Sequence, residues 1–547
     1  MGFVRRRLIC FVVLLAFAPP LLAQIEPHAT PSAPAAFHFE QYARKRQTPQ
    51  PPTGFLDHVV DGKLTLSLDD AVRLALANNT DIRVDEEQVE TAKDALERAL
   101  GPFDPNFLAS FDSTRQHENA YSQLLGGPPV LNSLNQTAQV GLTQTLETGT
   151  VFQATFDSFK STSNSGFYFF SPAFFTTLEF DLTQPLLKGR GLFVNRAPIV
   201  VAQRGLAQSR STFEAKVNDI LLQLITDYWN VIQARENLTV QRESLDEAQK
   251  SYGHDKRALE LGALPPLDIY RSESQVASRR VSVIQAEYFV KQMEDQLRRD
   301  LGADIDPNIR ALDLNLTEKP DPAGILMSID IPTALQKALD YRPEIESMRQ
   351  QLAADDVNVK LAHNGLEPDL SLAGRYVTSG LNTSIVNGNF AAGTYGSAIS
   401  QMFGFGYPTY DFSVTLKYPF RNHQAQAAMG DALASKRADL YSDRLLQEQI
   451  TLSVTNAVHA LEQAKLSMEA AKVALDLAQK TLQAEQHKYE LGAETVFFVL
   501  EAQTELTQAE EALVQAQVNY QLATAQVDHD TGDLLTSYQV QIQHLSY

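Results

Sequence analysis

The feature that most constrains this chain is a long stretch without a glycine or a proline, residues 431–491. The stretch permits a helix of about 60 residues, or roughly 90 Å at 1.5 Å per residue. Few globular domains have room for a helix of that length. It ends at Tyr489-Glu490-Leu491-Gly492-Ala493, which predicts a turn between two helices. The sequence therefore predicts a long helical hairpin.

A heptad pattern follows this turn. Large residues recur at every seventh position, and an alanine row lies three positions further on. The pattern predicts a coiled-coil seam that a second helix can approach closely. The large residues are Val499, Leu506, Leu513, Tyr520 and Val527, and the row is Ala502, Ala509, Ala516 and Ala523.

The same arrangement occurs 230 residues earlier in the chain. There the turn is Leu259-Glu260-Leu261-Gly262-Ala263, and the seam that follows consists of Ile269, Val276, Val283, Val290 and Leu297. A serine N-cap followed by an acid three residues later, at Ser67-Leu68-Asp69-Asp70, predicts the start of a helix that runs to about Leu100. This region, residues 71–105, also matches residues 334–368. We therefore predict an internal two-fold repeat, in which each half contains a helix, strands, a long helix, a turn and a helix.

The N-terminus has the features of an exported protein. Residues 1–23 place three arginines before an apolar run, which predicts a signal peptide. Residues 24–63 are rich in Pro, Ala and Gln and are predicted to be a flexible lead. The only cysteine, Cys10, lies in the signal peptide, so we expect no disulfide or cysteine metal site. The formal charge of -20 argues against a nucleic-acid partner.

Between the helical stretches the period changes from helical to two. Tyr410, Phe412, Val414 and Leu416 alternate with polar residues, and residues 178–182 alternate in the same way. A weaker alternation covers residues 107–111, 139–146, 152–159 and 370–376, and aromatic stretches between them, such as residues 403–407, are predicted to be flexible. After residue 23 no apolar run reaches about 18 residues, so we expect strands to make any membrane crossing. Apolar faces with flanking aromatics suit a membrane barrel, and a soluble sandwich is the alternative.

The strand segment of the first repeat is longer than that of the second. Pro105 and Pro185 are 80 residues apart, whereas Pro368 and Pro419 are 51 apart. The surplus predicts an additional strand pair at residues 139–146 and 152–159. A long extracellular loop folded back as a hairpin is the alternative. Because one chain has too few strands to close a barrel, closure requires several copies.

Motifs for catalysis are missing from the sequence. The 11 histidines are scattered, and there is no HExxH, GxSxG or Walker sequence. We expect neither enzymatic activity nor a cofactor or metal. Trp229 is expected to be a packing residue and not a ligand platform.

Several motifs together carry a family resemblance. They are Tyr489-Glu490-Leu491-Gly492 and Leu259-Glu260-Leu261-Gly262, the repeat starts Leu68-Asp69-Asp70-Ala71-Val72 and Ile331-Pro332-Thr333-Ala334-Leu335, and Arg342-Pro343-Glu344. Gln184-Pro185-Leu186-Leu187 and Tyr418-Pro419-Phe420-Arg421 are the strand-to-helix junctions. Taken in order, these motifs resemble the TolC-like outer-membrane efflux protein family.

The resemblance implies a mixed α and β fold. Its parts are a periplasmic α-barrel of long helical hairpins and a transmembrane antiparallel β-barrel that three copies share. Residues 64–320 and 321–532 are then the first and second structural repeats, and residues 533–547 are a C-terminal tail. The implied function is passive export through a homotrimer in the outer membrane, joined to a periplasmic adaptor protein and an inner-membrane transporter.

The resemblance also indicates a gate at the periplasmic end of this export channel, the exit duct. Similar proteins place two acids six and nine residues after the second turn glycine, where this chain has Phe498 and Glu501. Asp268 corresponds to an acid that, in similar proteins, binds an arginine two residues after the second turn glycine. In this chain Glu494 occupies the position of that arginine. We therefore expect these four residues to form the gate and a different latch to hold it. The candidate adaptor-contacting residues are Leu261, Gly262, Ala263, Leu491, Gly492 and Ala493.

Two other functions compete with the exit duct. A periplasmic adaptor also has a long helical hairpin, but it has a single hairpin, which is inserted into a split β-domain. This chain is predicted to have two hairpins and two blocks of strands. A soluble coiled-coil protein would require no detergent.

Overall fold

The computed structural model describes residues 52–119, 129–166, 170–261, 269–322, 326–386 and 389–540. They belong to one structural unit, Pro52–Tyr547. The predicted signal peptide, most of the predicted lead and part of the predicted tail lie outside the described residues.

The first half of the chain contains short helices, four long strands and a helical pair. The elements are β1 (Val59–Val60), β2 (Lys63–Leu66), α1 (Leu68–Asn78), α2 (Thr80–Leu100), β3 (Asn106–Asn119), β4 (Val130–Thr145), β5 (Val151–Ser163), β6 (Ala173–Pro185), α3 (Leu192–Glu260), α4 (Ile269–Asp300), α5 (Pro307–Arg310) and β7 (Asp313–Leu316).

The second half has a related order of elements with fewer long strands. They are α6 (Ile331–Tyr341), α7 (Pro343–Asn364), β8 (Asp369–Leu381), β9 (Thr383–Val386), β10 (Asn389–Ala392), α8 (Tyr395–Phe403), β11 (Pro408–Lys417), α9 (His423–Glu490), α10 (Val496–Thr531) and α11 (Leu534–Ser537).

The long helices confirm the prediction from residues 431–491 and exceed it. Helix α9 has 68 residues and α3 has 69, with Pro198 accommodated near the start of α3. All positions of both predicted seams are buried or half-buried. Ala516, Tyr520, Ala523 and Val527 pack against Ala457, Leu461, Ala464 and Met468 of α9. The heptad pattern therefore marks the packed face of α10, as predicted.

The N-terminal helix differs from the single helix expected up to about Leu100. Ser67 and Asp70 form the capping box that starts α1. The chain then breaks at Asn79, whose side chain caps α2 by accepting from the amides of Asp81 and Ile82. The side-chain nitrogen of Asn79, Nδ2, also donates to the Asp300 carbonyl at 2.8 Å. A tertiary hydrogen bond therefore accompanies a break that helical periodicity does not predict.

The predicted boundary of the lead at residue 63 is wrong for the residues that the structure describes. Phe55 is only 1% exposed, and it packs in the largest core cluster with Leu64, Leu66 and Trp229. Strand β2 pairs in parallel with β7, although the two strands are 250 residues apart, as in the pair Lys63–Asp313. The part of the chain that packs against the core therefore begins no later than Phe55, before the predicted boundary. Trp229 is a core residue, as expected.

The long strands form one six-stranded sheet in the order β11-β8-β6-β5-β4-β3. Every neighbouring pair is antiparallel. The additional pair predicted at residues 139–146 and 152–159 corresponds to β4 and β5, which lie between β3 and β6. Since both strands have sheet neighbours on either side, they are not a loop folded back on the sheet.

A charged junction joins elements from both halves of the chain. His529 of α10 lies between two carboxylates, with Nδ1 3.0 Å from Asp530 and Nε2 3.1 Å from Asp219 of α3. The Arg342 guanidinium, which precedes α7, lies 4.0 Å from Asp530. Burial alone would lower the pKa of His529, but the bonds to Asp219 and Asp530 raise this pKa to about 9.

This junction predicts a loss of stability at alkaline pH. The folded-state pKa of His529, about 9, lies above the ordinary value of 6.5, so its stabilising contribution is complete below about pH 6.5 and is lost as pH rises through about 9. The contribution is at most about 3 kcal/mol. His529→Gln should therefore flatten the fall in unfolding free energy between these two pH values, measured by chemical denaturation in detergent. The exposed His459 provides the control, and an equal flattening by His459→Gln would contradict the assignment.

Candidate functional site: the hairpin turns and the strand sheet

The second hairpin turn presents an exposed apolar tip. Helix α9 ends at Glu490, and Gly492 takes a positive φ of 71° that favours glycine. The Ala493 amide donates to the Lys488 carbonyl at 3.0 Å, which closes the turn. Leu491 is 74% exposed, and Leu261, at the end of α3, is 84% exposed. Of the predicted tip residues, Gly262 and Ala263 lie outside the described residues, as does Asp268.

Glu494 is engaged within its own hairpin. The Lys488 ammonium lies 2.7 Å from Glu485 Oε1 and 3.2 Å from Glu494 Oε1. Hydrogen bonds to these two carboxylates raise the pKa of Lys488, and the bond to Lys488 lowers the pKa of Glu485. Glu494 thus replaces an expected arginine and binds a lysine that sequence reasoning did not identify.

Phe498 and Glu501 lie on the exposed side of α10. Between them, Val499 is buried, and with Ala502 it packs on Leu482 of α9. The Phe498 ring contacts the Phe497 ring edge to face, at 5.4 Å between centroids. Phe497 in turn lies under the Arg271 guanidinium of α4, at 5.8 Å. The structure therefore places Phe498 and Glu501 away from the seam.

A contact between the two hairpins was missed by sequence reasoning. The Tyr489 hydroxyl donates to Asp255 Oδ1 at 2.9 Å, and Asp255 is only 1% exposed. Further along, Gln503 donates to Ser251 and Thr507 to Ser244, each at 3.0 Å. Tyr489 belongs to the turn motif, but nothing local distinguishes Asp255. These bonds join α3 to the second hairpin along a polar seam.

The six-stranded sheet has one apolar and one polar face. Phe412 of β11 is 80% exposed, and Tyr410, Val414 and Leu416 share its face. On the other face, the register aligns Asp181, Arg375 and Asp411 on three neighbouring strands. Arg375 Nε lies 2.5 Å from Glu179 Oε1 and 3.8 Å from Asp181 Oδ1. Among the described residues, β3 pairs only with β4 and β11 only with β8, which leaves two open edges.

No helix in the described part of the chain is both long enough and apolar enough to span a membrane. Within the same residues, no group of three or more His, Cys, Asp or Glu side chains could hold a metal ion.

Comparison with known proteins identifies the family. The sequence profile described as "Outer membrane efflux protein" matches residues 177–303 and 334–532, more than half of the chain. The chain belongs to this family. The predicted resemblance and the predicted outer-membrane location are thereby confirmed, and the match favours an outer-membrane protein over the periplasmic adaptor and the soluble coiled coil.

Curated relatives of the family are distant in sequence. The probable outer membrane lipoprotein SilC of Salmonella typhimurium is 23% identical over 52% of this chain and 58% of its own length. The pyoverdine export outer membrane protein OpmQ of Pseudomonas aeruginosa is 25% identical over 54% of this chain and 57% of its own. Outer membrane protein TolC of Vibrio cholerae is 24% identical over 61% and 72%. The chain thus spans less than two thirds of the length of SilC and OpmQ.

Solved structures of similar proteins share the fold over more of the chain. A membrane protein from Pseudomonas aeruginosa aligns with a TM-score of 0.63 at 19% identity, covering 87% of this chain and 92% of its own. CusC aligns with a TM-score of 0.61 at 15% identity, covering 88% and 95%. At these identities the likeness concerns the fold alone.

The contact between Tyr489 and Asp255 leads to a prediction for this family member. Tyr489→Phe removes the hydroxyl that donates to a buried carboxylate, which should destabilise the hairpin end locally by about 1–3 kcal/mol. Amide hydrogen exchange should therefore accelerate in residues 250–258 and 485–492 while the rest of α9 stays protected. Tyr270→Phe, at an exposed tyrosine of α4, is the control. Unchanged exchange in both segments would show that the contact is not stabilising.

Proposed function

We propose that this family member is the passive exit channel of an export system, working as a homotrimer in the outer membrane. The observation that carries the proposal is the sheet, whose apolar face is exposed on β11 and whose edge strands β3 and β11 have no outer neighbour among the described residues. An unpaired backbone group in hydrocarbon costs several kcal/mol, so strands β3 and β11 require partners. Pairing β11 of one copy with β3 of the next supplies them.

The number of strands supports closure by three copies. Six strands per chain are too few for a barrel with an open interior, whereas three chains provide about 18 strands, within the range of water-filled barrels. The apolar face then meets lipid, and Asp181, Arg375 and Asp411 line the lumen. The lumen is polar and carries both charges, as a passive aqueous conduit requires.

The helices supply the periplasmic part of the proposed channel. Helices α3 and α9, of 69 and 68 residues, would each extend roughly 100 Å at 1.5 Å per residue. The pairs α3–α4 and α9–α10 are the hairpins of the two proposed repeats, residues 64–320 and 321–532. Six hairpins in a trimer would form the periplasmic α-barrel. No catalytic step is assigned to this function.

The hairpin tips are the proposed contact with a periplasmic adaptor, which would connect the channel to an inner-membrane transporter. Leu261 and Leu491 are exposed leucines at hairpin ends, where nothing in the described chain covers them. Apolar tips of this kind suit burial in a partner protein. Gly262, Ala263, Gly492 and Ala493 complete the proposed contact on the two turns.

The trimer is tested by the mass of the purified protein. Because each chain leaves two sheet edges open, the detergent-solubilised particle should contain three protomers, measured by sedimentation with the detergent contribution subtracted. A monodisperse monomer in mild detergent would contradict the proposal.

The periplasmic gate is tested by planar-bilayer recordings. Threefold symmetry would bring three Phe498 rings and three Glu501 carboxylates together, and apolar constrictions exclude water while acid rings favour cations. Phe498→Ala should raise single-channel conductance, and Glu501→Gln should weaken cation preference.

Phe497→Ala is the matched control, because the neighbouring ring lies under Arg271 of its own chain. If Phe498→Ala and Glu501→Gln both conduct like the parent, the gate lies elsewhere, with Asp268 and Glu494 the remaining candidates.

A further inference from the structure

Helix α8, in the connection between β10 and β11, packs on the apolar face of the six-stranded sheet. Thr378 lies directly opposite Leu178 in the β6–β8 register, so it points to the same side as Leu178. Its hydroxyl donates to the Met402 carbonyl of α8 at 2.8 Å, and Thr176, on the same face, donates to the Ala398 carbonyl at 3.1 Å. Both threonines are fully buried beneath the helix.

The docking of α8 requires a glycine on the strand below it. A Cβ added to Gly380 would lie 1.9 Å from the Ala398 carbonyl oxygen, so no other residue permits this approach without displacement of the helix. Ala398 and Met402 are themselves fully buried. The Gln401 side chain fastens the helix further, accepting from the Leu381 amide at 3.1 Å and donating to the Thr383 carbonyl at 2.7 Å.

The helix lies where the apolar face changes to polar. On the apolar face of β6, in the direction away from α3, Leu182, Phe180 and Leu178 give way to Thr176. In the same direction on β5, Phe156 gives way to Ser158 and Lys160. Helix α3 follows the C-terminal end of β6, and α7 precedes the N-terminal end of β8, so both helices connect to one end of the sheet. The change from apolar to polar residues occurs at the other end. In a membrane barrel, the end of the apolar band marks the boundary with the headgroups.

Exposed aromatic side chains flank α8. Tyr395 and Phe403, at the two ends of the helix, are exposed, and so is Tyr407 beyond it. The centroid of the Tyr395 ring lies 5.4 Å from that of Phe174 on β6, and the Lys160 ammonium of β5 lies 5.9 Å from the centroid of the same Phe174 ring. Exposed aromatic rings beside a lysine are the composition of a membrane–water interface.

We propose that α8 is an interfacial anchor that rests on the outside of the barrel and contacts the outer-leaflet lipids where their acyl chains meet the headgroups. The inference rests on the proposed function, because it requires the apolar face of the sheet to be in a bilayer. The occupant is lipid, because the exposed rings continue the apolar band at the level where it ends. The connection thus adds membrane contact that the strands themselves do not make.

Depth-dependent fluorescence quenching tests the proposal in the full-length trimer. Trp229, the only tryptophan, is in the helical core and supplies the baseline emission. Phe403→Trp is reconstituted into phosphatidylcholine vesicles whose chains carry bromine either near the glycerol ester or near the chain end. Shallow bromines should quench the added emission about twofold more than deep ones, as expected at an interface. Emission quenched by aqueous iodide but by neither lipid would overturn the proposal.

Phe412→Trp separates this outcome from a failure of the proposed function. Phe412 lies on the exposed apolar face of β11, where brominated chains should quench it strongly if the sheet is in the bilayer. If Phe412→Trp is quenched and Phe403→Trp is not, only the anchor is wrong. If neither is quenched by lipid, the membrane location of the sheet is wrong as well.

Two glycine-to-alanine substitutions on β8 test whether the packing of α8 places Phe403 at the lipid. Gly380→Ala in the Phe403→Trp background should lose the preference for shallow bromines, because the added Cβ displaces the helix. Gly374→Ala is the matched control on the same strand and face, where a Cβ would meet only the Phe412 ring at 3.4 Å. Unchanged quenching in Gly380→Ala would contradict the packing on which the anchor depends.

Discussion

The backbone hydrogen bond is the interaction on which this structure depends, because helices and strands satisfy it differently. A helix pairs its amides and carbonyls within itself, so α3 and α9 extend over 69 and 68 residues with neighbours on only part of their surface. A strand requires a neighbour on each side, and the six-stranded sheet ends at two edges without one among the described residues. The helices therefore pair their backbone groups internally, whereas the proposed trimer would supply the partners that the two edges of the sheet lack.

Two kinds of contact hold the helices in place. The seams of α4 and α10 are apolar and permit close approach, as the alanines that pack against α9 illustrate. Between the two hairpins, Val518 and Ala525 of α10 share a buried apolar cluster with residues of α3, and polar contacts are added at Tyr489–Asp255 and around His529. Polar contacts are directional, so they select one alignment of long helices that could otherwise slide along a regular seam.

Buried carboxylates elsewhere among the helices add a further pH-dependent contribution to stability. Burial and the neighbouring Asp227 raise the pKa of Asp300 to about 7, and burial with Asp439 raises that of Asp355 to about 6. Asp227 is itself buried and accepts from Gln223 and Gln296. An acid whose pKa is raised on folding destabilises the folded state as pH rises above its ordinary pKa, which is the same direction as the loss expected from His529.

The sequence by itself determined the elements whose signal is local. The heptads of α10, the glycine turn at Gly492, the cap at Ser67 and the alternation of β11 each record a helical or extended period over neighbouring residues, and the structure has all of them. The sheet strands β4 and β5 were also predictable, because the surplus residues alternate.

Only the tertiary structure decided the contacts between residues far apart in the chain. Periodicity does not record that Lys63 pairs with Asp313, that Asp255 accepts from Tyr489, or that Lys488 binds Glu494 across the turn. The aromatic stretch around Phe405 was expected to be flexible, yet its ring lies 6.3 Å from Tyr376 because α8 packs on the sheet. These outcomes depend on which surfaces the fold brings together, and that information is distributed over many residues with no common spacing.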